Sequence, residues 1–157
     1  MTTIAVTIQG LEVARARLSA LARIEFHELM DGLARMGQQQ TQRRIEEEKT
    51  SPDGAKWKPT VDGRAPLFVT GAHLARSIDH SASATEAHWG TGWIGARVHQ
   101  FGATITPKSA KRLHFQLGGK SVFAKKSVIP ARPYLGVSDA NARDLERAAA
   151  TFIERHL

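Results

Sequence analysis

The chain has no cysteine, which rules out disulfides, thiolate metal sites and thiol nucleophiles and fits a reducing compartment. It has no apolar stretch approaching the ~18 residues that a membrane span needs. Its first residues, MTTIAVTIQG, lack the basic region and long apolar run of an export signal. A soluble chain, assembled in the cytoplasm where it is made and making no membrane contact, is therefore expected. Aromatic residues are scarce, at 6%. The most localised lack is of acid. From Ala87 to Ser138 there is no Asp or Glu, whereas Arg97, Lys108, Lys111, Arg112, Lys120, Lys125, Lys126 and Arg132 supply eight positive charges. The net charge of +7 resides in that stretch, and the remainder is close to neutral.

Within 157 residues, 41% hydrophobic and 24% charged, the chain can bury one core but not two comfortable ones, so a single domain over 1–157 is expected. Ile4, Val6 and Ile8 alternate as in a short strand from Thr3 to Gln9 that stops at Gly10. Leu11, Ala14, Leu18, Leu21, Ala22, Phe26, Leu29, Met30, Leu33 and Met36 recur at helical spacing, predicting one long helix or two consecutive ones. Helix continues to about Lys49, where Thr50-Ser51-Pro52-Asp53-Gly54 is a strong turn signal. A loop runs to about Phe68, and Thr70 is a candidate N-cap for one or two helical turns through Leu74 and Ile78. Small and aromatic residues from Ser77 to Gly102, broken by Gly90, Gly92 and Gly95, predict short antiparallel strands. Arg112–Leu117 reads as a strand and Gly118-Gly119 as a turn. Ser138, followed by Asp139, caps a last helix with Ala142, Leu145, Ala148, Ala149, Phe152 and Ile153 on one stripe. The fold class is α+β: a small antiparallel sheet packed by the N-terminal helix or helices and the C-terminal helix, with an extended basic hairpin.

Catalytic patterns are weak. The seven histidines, His27, His73, His80, His88, His99, His114 and His156, show no zinc-type ligand spacing. His99 is expected as a packed residue at the end of a strand. Ser77, Asp79 and His80 have the residue types of a hydrolytic triad, but neighbours in a strand point to opposite faces and cannot converge. Asp53 and Trp57 are accounted for by a turn and a cover over the core, and Glu46-Glu47-Glu48 by a solvated helix end. No cofactor, metal or catalytic residue is expected.

Three segments carry a different signal. Pro52-Asp53-Gly54-Ala55-Lys56-Trp57 precedes Thr70-Gly71-Ala72-His73-Leu74-Ala75-Arg76-Ser77; then come Val98-His99-Gln100-Phe101-Gly102 and Ile129-Pro130-Ala131-Arg132-Pro133-Tyr134-Leu135-Gly136. In order and spacing they resemble the phage virion morphogenesis, or tail completion, family of tailed bacteriophages, across most of the chain. The motif positions are Pro52, Gly54, Trp57, Thr70, Gly71, Leu74, Ser77, His99, Gly102, Pro130, Arg132, Pro133, Tyr134 and Gly136. Ala96-Arg97 stands where a Tyr-Ala pair is common in that family, and Ile45 where an aromatic is frequent. Read physically, the two prolines around Ala131-Arg132 make a rigid extended strap. Gly102 and Gly136 supply backbone angles or close approaches that a side chain forbids.

The acid-free stretch completes the expectation. Lys108, Lys111, Arg112, Lys120, Lys125 and Lys126 flank a hairpin within an arm at about 103–128, and Leu113, Phe115 and Leu117 give it one apolar face. Such an arm calls for a partner. The resemblance implies a virion protein at the phage neck or tail that completes the tail and joins it to the head. It would form a ring, expected to have six copies, with head-completion, connector and tail or tail-terminator proteins as neighbours and DNA passing through. The alternative is a basic nucleic-acid-binding protein without enzymatic activity. The sequence offers that alternative no zinc finger, basic zipper or clear helix-turn-helix as a reader.

Overall fold

The computed structural model describes residues 10–60, 63–67 and 70–157. The strand expected from Thr3 to Gln9 lies outside the described residues, as do residues 61–62 and 68–69. The N-terminal helical pattern resolves into two helices, α1 (Leu11–Leu21) and α2 (Phe26–Arg43), and α2 runs directly into a π turn, Arg44–Glu48. There the Lys49 N–H bonds Arg44 O at 3.0 Å, five residues back. The wider turn lets the consecutive residues Arg44 and Ile45 both point inward. Lys49, with φ 55°, ends the element in the left-handed region.

The turn that follows is built as its residues dictate. Asp53 Oδ1 accepts from Ala55 N at 3.0 Å, Gly54 takes φ 85°, and Thr50 bridges to Lys56. Next come α3 (Thr70–Arg76), the strand β1 (Ile78–Ala82) and the strand β2 (Ala87–Thr91). The helix expected at Thr70 thus begins at Thr70 itself, and the side chains of residues 70–72 are outside the description. After β2 the chain forms α4 (Ala96–Phe101), β3 (Ala103–Ile105), β4 (Leu113–Leu117), β5 (Lys120–Ala124), β6 (Ser127–Ile129) and α5 (Asp139–Glu154). Ser138 Oγ accepts from Asn141 N, the expected cap of α5.

The class is α+β, and among the described residues the strands form three separate antiparallel two-stranded ladders rather than one sheet: β1–β2, β3–β6 and β4–β5. The centre of the molecule is α2, which packs on β1 and β2 and also on α5. The face of α2 that enters the core is offset from the predicted stripe. Leu29, Ala34, Gly37, Gln40 and Thr41 are buried, whereas Phe26 is exposed. The reason is volume on the opposite side: the Trp89 ring of β2 lies against Gly37, where an added Cβ would sit 2.5 Å from ring carbon Cδ2. Small residues on the helix make room for a large one on the hairpin. Helix α1 buries none of its residues, and Leu11, Val13 and Leu18 are exposed. The apolar residues of α1 therefore have no substantial cover among the described residues.

Candidate structural hub and interaction arm

The core gathers Ile45, Trp57, Leu67, Leu74, Ala75, Ile78, Ala96 and Tyr134, with Trp93 and Leu135 packed on it. Residues distant in sequence meet there because the strap 130–136 crosses the end of α2 and the face of α4. Tyr134 is fully buried, and its hydroxyl donates to Ala96 O at 3.3 Å. Burial pushes its phenol pKa up, so the hydroxyl keeps its proton for that bond. Trp57 donates its indole N–H to Pro133 O at 3.2 Å and Ser51 Oγ at 3.1 Å, tying the turn to the strap.

Two residues not singled out from the sequence hold the strap most firmly. Gln100, on α4, accepts at Oε1 from Tyr134 N and Leu135 N, both at 3.0 Å, and donates to Leu135 O at 3.2 Å. One amide side chain thereby substitutes for a paired strand. Arg44 is 1% exposed, and its guanidinium donates to Tyr134 O at 3.0 Å, Gly136 O at 2.8 Å and Asn141 Oδ1. Its fork binds the strap and the first turn of α5 together, and no carboxylate pairs with it among the described residues. Burial lowers its pKa, with Glu48 opposing; the group starts so high that it stays a cation. Arg44 escaped notice because it sits in a polar run. Its position three residues after Thr41 and seven after Gly37, on the buried face, is the signal that could have found it.

Most motif positions fall in or beside this hub. Arg132 is buried; its backbone N–H bonds His99 O at 2.7 Å and its guanidinium reaches Lys58 O at 3.3 Å. Gly102 takes φ 73°, and a Cβ there would meet Ala131 N at 2.8 Å; Gly136 takes φ 141°, and a Cβ would meet Pro52 Cγ at 2.7 Å. The close approaches expected of those glycines are therefore contacts between motifs. Leu74 is in the core, and Ser77 Oγ bonds Leu74 O at 2.8 Å and Thr91 Oγ1 at 2.6 Å, fastening α3 to β2. Pro130 is exposed and Pro133 half-buried along the strap. Gly54 serves the turn, away from any close neighbour. Thr70 and Gly71 start α3.

His99 is not at the end of a strand, as its residue type and neighbours suggested, but on α4, bracketed by Gly95 and Gly102. Its ring stacks on Trp93, with centroids 5.6 Å apart and planes 8° apart. Burial, and then Arg132 nearby, lower its pKa. Ser77, Asp79 and His80 do not converge: Ser77 is engaged as above, while His80 Nδ1 meets Gln38 Oε1 at 2.6 Å and Nε2 faces Asp31 Oδ1 at 3.5 Å. Among the described residues no group of three or more His, Cys, Asp or Glu could hold a metal ion. None of their helices is long and apolar enough to cross a membrane.

The arm lies apart from the hub. Its base is the β3–β6 ladder, where Ala103 faces Ile129 and Ile105 faces Ser127. Its outer part is the β4–β5 hairpin, where Leu113 faces Ala124 and Leu117 faces Lys120. Gly118 and Gly119 have φ 56° and 79°, the left-handed pair that a two-residue hairpin turn requires. The hairpin packs chiefly on itself. Leu113, Phe115, Leu117, Val122 and Ala124 form its half-buried side. The other side, read as polar, also carries Phe123, stacked on His114 at 4.7 Å. Lys108, Lys111, Arg112, Lys120, Lys125 and Lys126 are all exposed, and among the described residues none has an ion pair. Near the arm's root, Ile94 is 94% and Phe101 72% exposed.

Compared with known protein families, residues 6–154 match the phage virion morphogenesis family. No curated protein and no solved structure matches the chain.

Proposed function

The chain belongs to the phage virion morphogenesis family, and from that premise we propose that it is a structural subunit of a tailed-phage particle, without turnover chemistry, that completes the tail and joins it to the head at the neck. It works as a ring subunit, six copies being the expected number, between head-completion or connector proteins and tail or tail-terminator proteins. The observation that carries this reading is the division of labour in the chain. The motif residues are spent on an internal hub in which Arg44, Trp57 and Gln100 hold the 130–136 strap. What faces outward is an unpaired basic arm and exposed apolar residues such as Ile94 and Phe101. A body locked from within and adhesive outside suits assembly, because closed cyclic symmetry buries edges a monomer leaves open. The test is the mass of the purified protein in solution, alone and mixed with neck and tail proteins from the same source. A ring, or one formed only with those partners, is expected. A monomer that ignores them removes the reading.

A second reading, a nucleic-acid-binding protein, draws on the six exposed arm cations. Titration of binding to random duplex DNA with salt separates the two. A tight low-salt affinity falling with a log–log slope of about −0.9 per phosphate contact favours that alternative. Feeble binding favours assembly, with DNA merely passing through.

A further inference from the structure

A cyclic assembly of more than two copies needs two different, complementary patches on every subunit, because its contacts are head to tail. The arm supplies one. The second is the open groove between α2 with its π turn and α5, with a volume of about 830 Å³. We infer that the β4–β5 hairpin of one copy docks in the α2–α5 groove of the next, its cations meeting the acidic turn Glu46–Glu48. This rests on the ring reading proposed above and says which surfaces make the ring.

Three features support the fit. Length is the first: α5 lines the groove from Asp144 to Arg155, about 17 Å at a helical rise of ~1.5 Å per residue. Five-residue strands such as β4 and β5 also span about 17 Å. The second is apolar surface. Met36, Ala148 and Phe152 line the groove, and the hairpin carries the half-buried Leu113, Phe115, Leu117 and Val122 on one side, packed chiefly on one another across β4 and β5. Charge is the third. The end of α2 meets the start of α5, since both Gln40 and Arg44 bond Asn141, so Glu46, Glu47 and Asp144 share one end of the groove. Arg43 there is taken by Glu48 at 3.0 Å and Arg147 by Asp144 at 3.7 Å. Glu46, with Lys49 nearby, and Glu47 line the groove as exposed carboxylates, while Arg155 lines it from the C-terminal end of α5. An arm with six cations and no acid is the natural counterpart.

Charge reversal in the full-length chain tests this. Glu46→Lys with Glu47→Lys, and separately Lys125→Glu with Lys126→Glu, should each weaken self-association about tenfold or more, and their combination should restore it to within about threefold. All four positions are exposed, and a thermal melt of each variant checks that the fold is kept. Because the chain has no cysteine, Gln116→Cys mixed with Gln39→Cys should crosslink between copies through a short bis-maleimide. Gln116→Cys mixed with Thr85→Cys, on the β1–β2 turn, should not. If assembly withstands both reversals, if their combination fails to restore it, or if both cysteine mixtures crosslink alike, the docking is overturned and the ring stands. A chain that stays monomeric even with neck and tail proteins removes both. Loss of DNA retention on arm reversal with no change in mass would assign the arm to nucleic acid and overturn the docking.

Discussion

A glycine inside a helix ordinarily costs about 0.5–1 kcal/mol relative to alanine, and α2 holds two of them in opposite circumstances. Gly32 has open space where a Cβ would go, whereas at Gly37 a Cβ would fall 2.5 Å from the Trp89 ring. Overpacking against a ring that α2 and β1 both confine costs ~1–3 kcal/mol, more than helix propensity returns. Gly32→Ala should therefore stabilise the chain by about 0.5–1 kcal/mol and Gly37→Ala should destabilise it, both read from urea unfolding midpoints. Equal effects would mean that Trp89 yields freely. Neither outcome was legible from composition, because the large residue that decides it is 52 positions away in the chain. His99 is a second residue with a measurable signature. Burial and Arg132 hold its pKa below the ordinary 6.5, so between its folded value and 6.5 the unfolded chain binds more protons than the folded one. Its contribution to stability is complete above pH 6.5 and is lost as pH falls through the folded pKa. Replacing His99 by Gln should flatten the stability curve in that window. An unchanged acid slope would assign the protons elsewhere.

Among the elements, those with strong local punctuation were legible and those decided by neighbours were not. The Pro52–Gly54 turn, the Ser138 cap and the Gly118-Gly119 hairpin carry their instructions in one to three residues, and the structure follows each. Segment 96–101 is too short to display a helical period, so its helix passed for strand; Gly95 and Gly102 mark its ends only in retrospect. Helix α1 shows the converse limit: a period reveals an apolar stripe but not what covers it, and here Leu11 and Leu18 face outward. The motif residues were legible as a set through family resemblance. Their convergence on Arg44 and Gln100 was not, since a polar side chain in the sequence does not reveal which distant backbone groups it will bond. The hairpin's self-contained packing carries its own prediction. Deleting Leu113–Ala124 and closing the gap with a short flexible link should leave the melting temperature of the body within a few degrees, because the core comprises none of those residues. Assembly should be lost. Ring formation by that variant would remove the arm from the interface.

At the scale of the whole molecule, the charge is divided between elements: exposed, acid-free cations on the arm, and the exposed carboxylates Glu46, Glu47 and Glu48 on the π turn. In the proposed docking these opposite charges steer copies head to tail before they touch, and the steering reaches only about a Debye length, ~10 Å at 0.1 M salt. Holding the copies together is a different matter in that docking, because Met36, Ala148 and Phe152 of the groove and Leu113, Phe115, Leu117 and Val122 of the hairpin supply apolar contact, and apolar burial is not screened. Raising ionic strength from about 0.05 to 0.5 M should therefore slow association by at least tenfold while changing dissociation far less. Stopped-flow light scattering after mixing and after dilution measures both rates. The opposite pattern, with dissociation accelerated and association unaltered, would mean that ion pairs rather than apolar contact hold the copies together. The hub bears on the same experiment. A body whose strap, turn and last helix are tied through Arg44 presents its groove already formed, so little ordering should accompany docking, and the association rate in high salt should stay within the ordinary ~10⁵–10⁷ M⁻¹s⁻¹ of preformed surfaces.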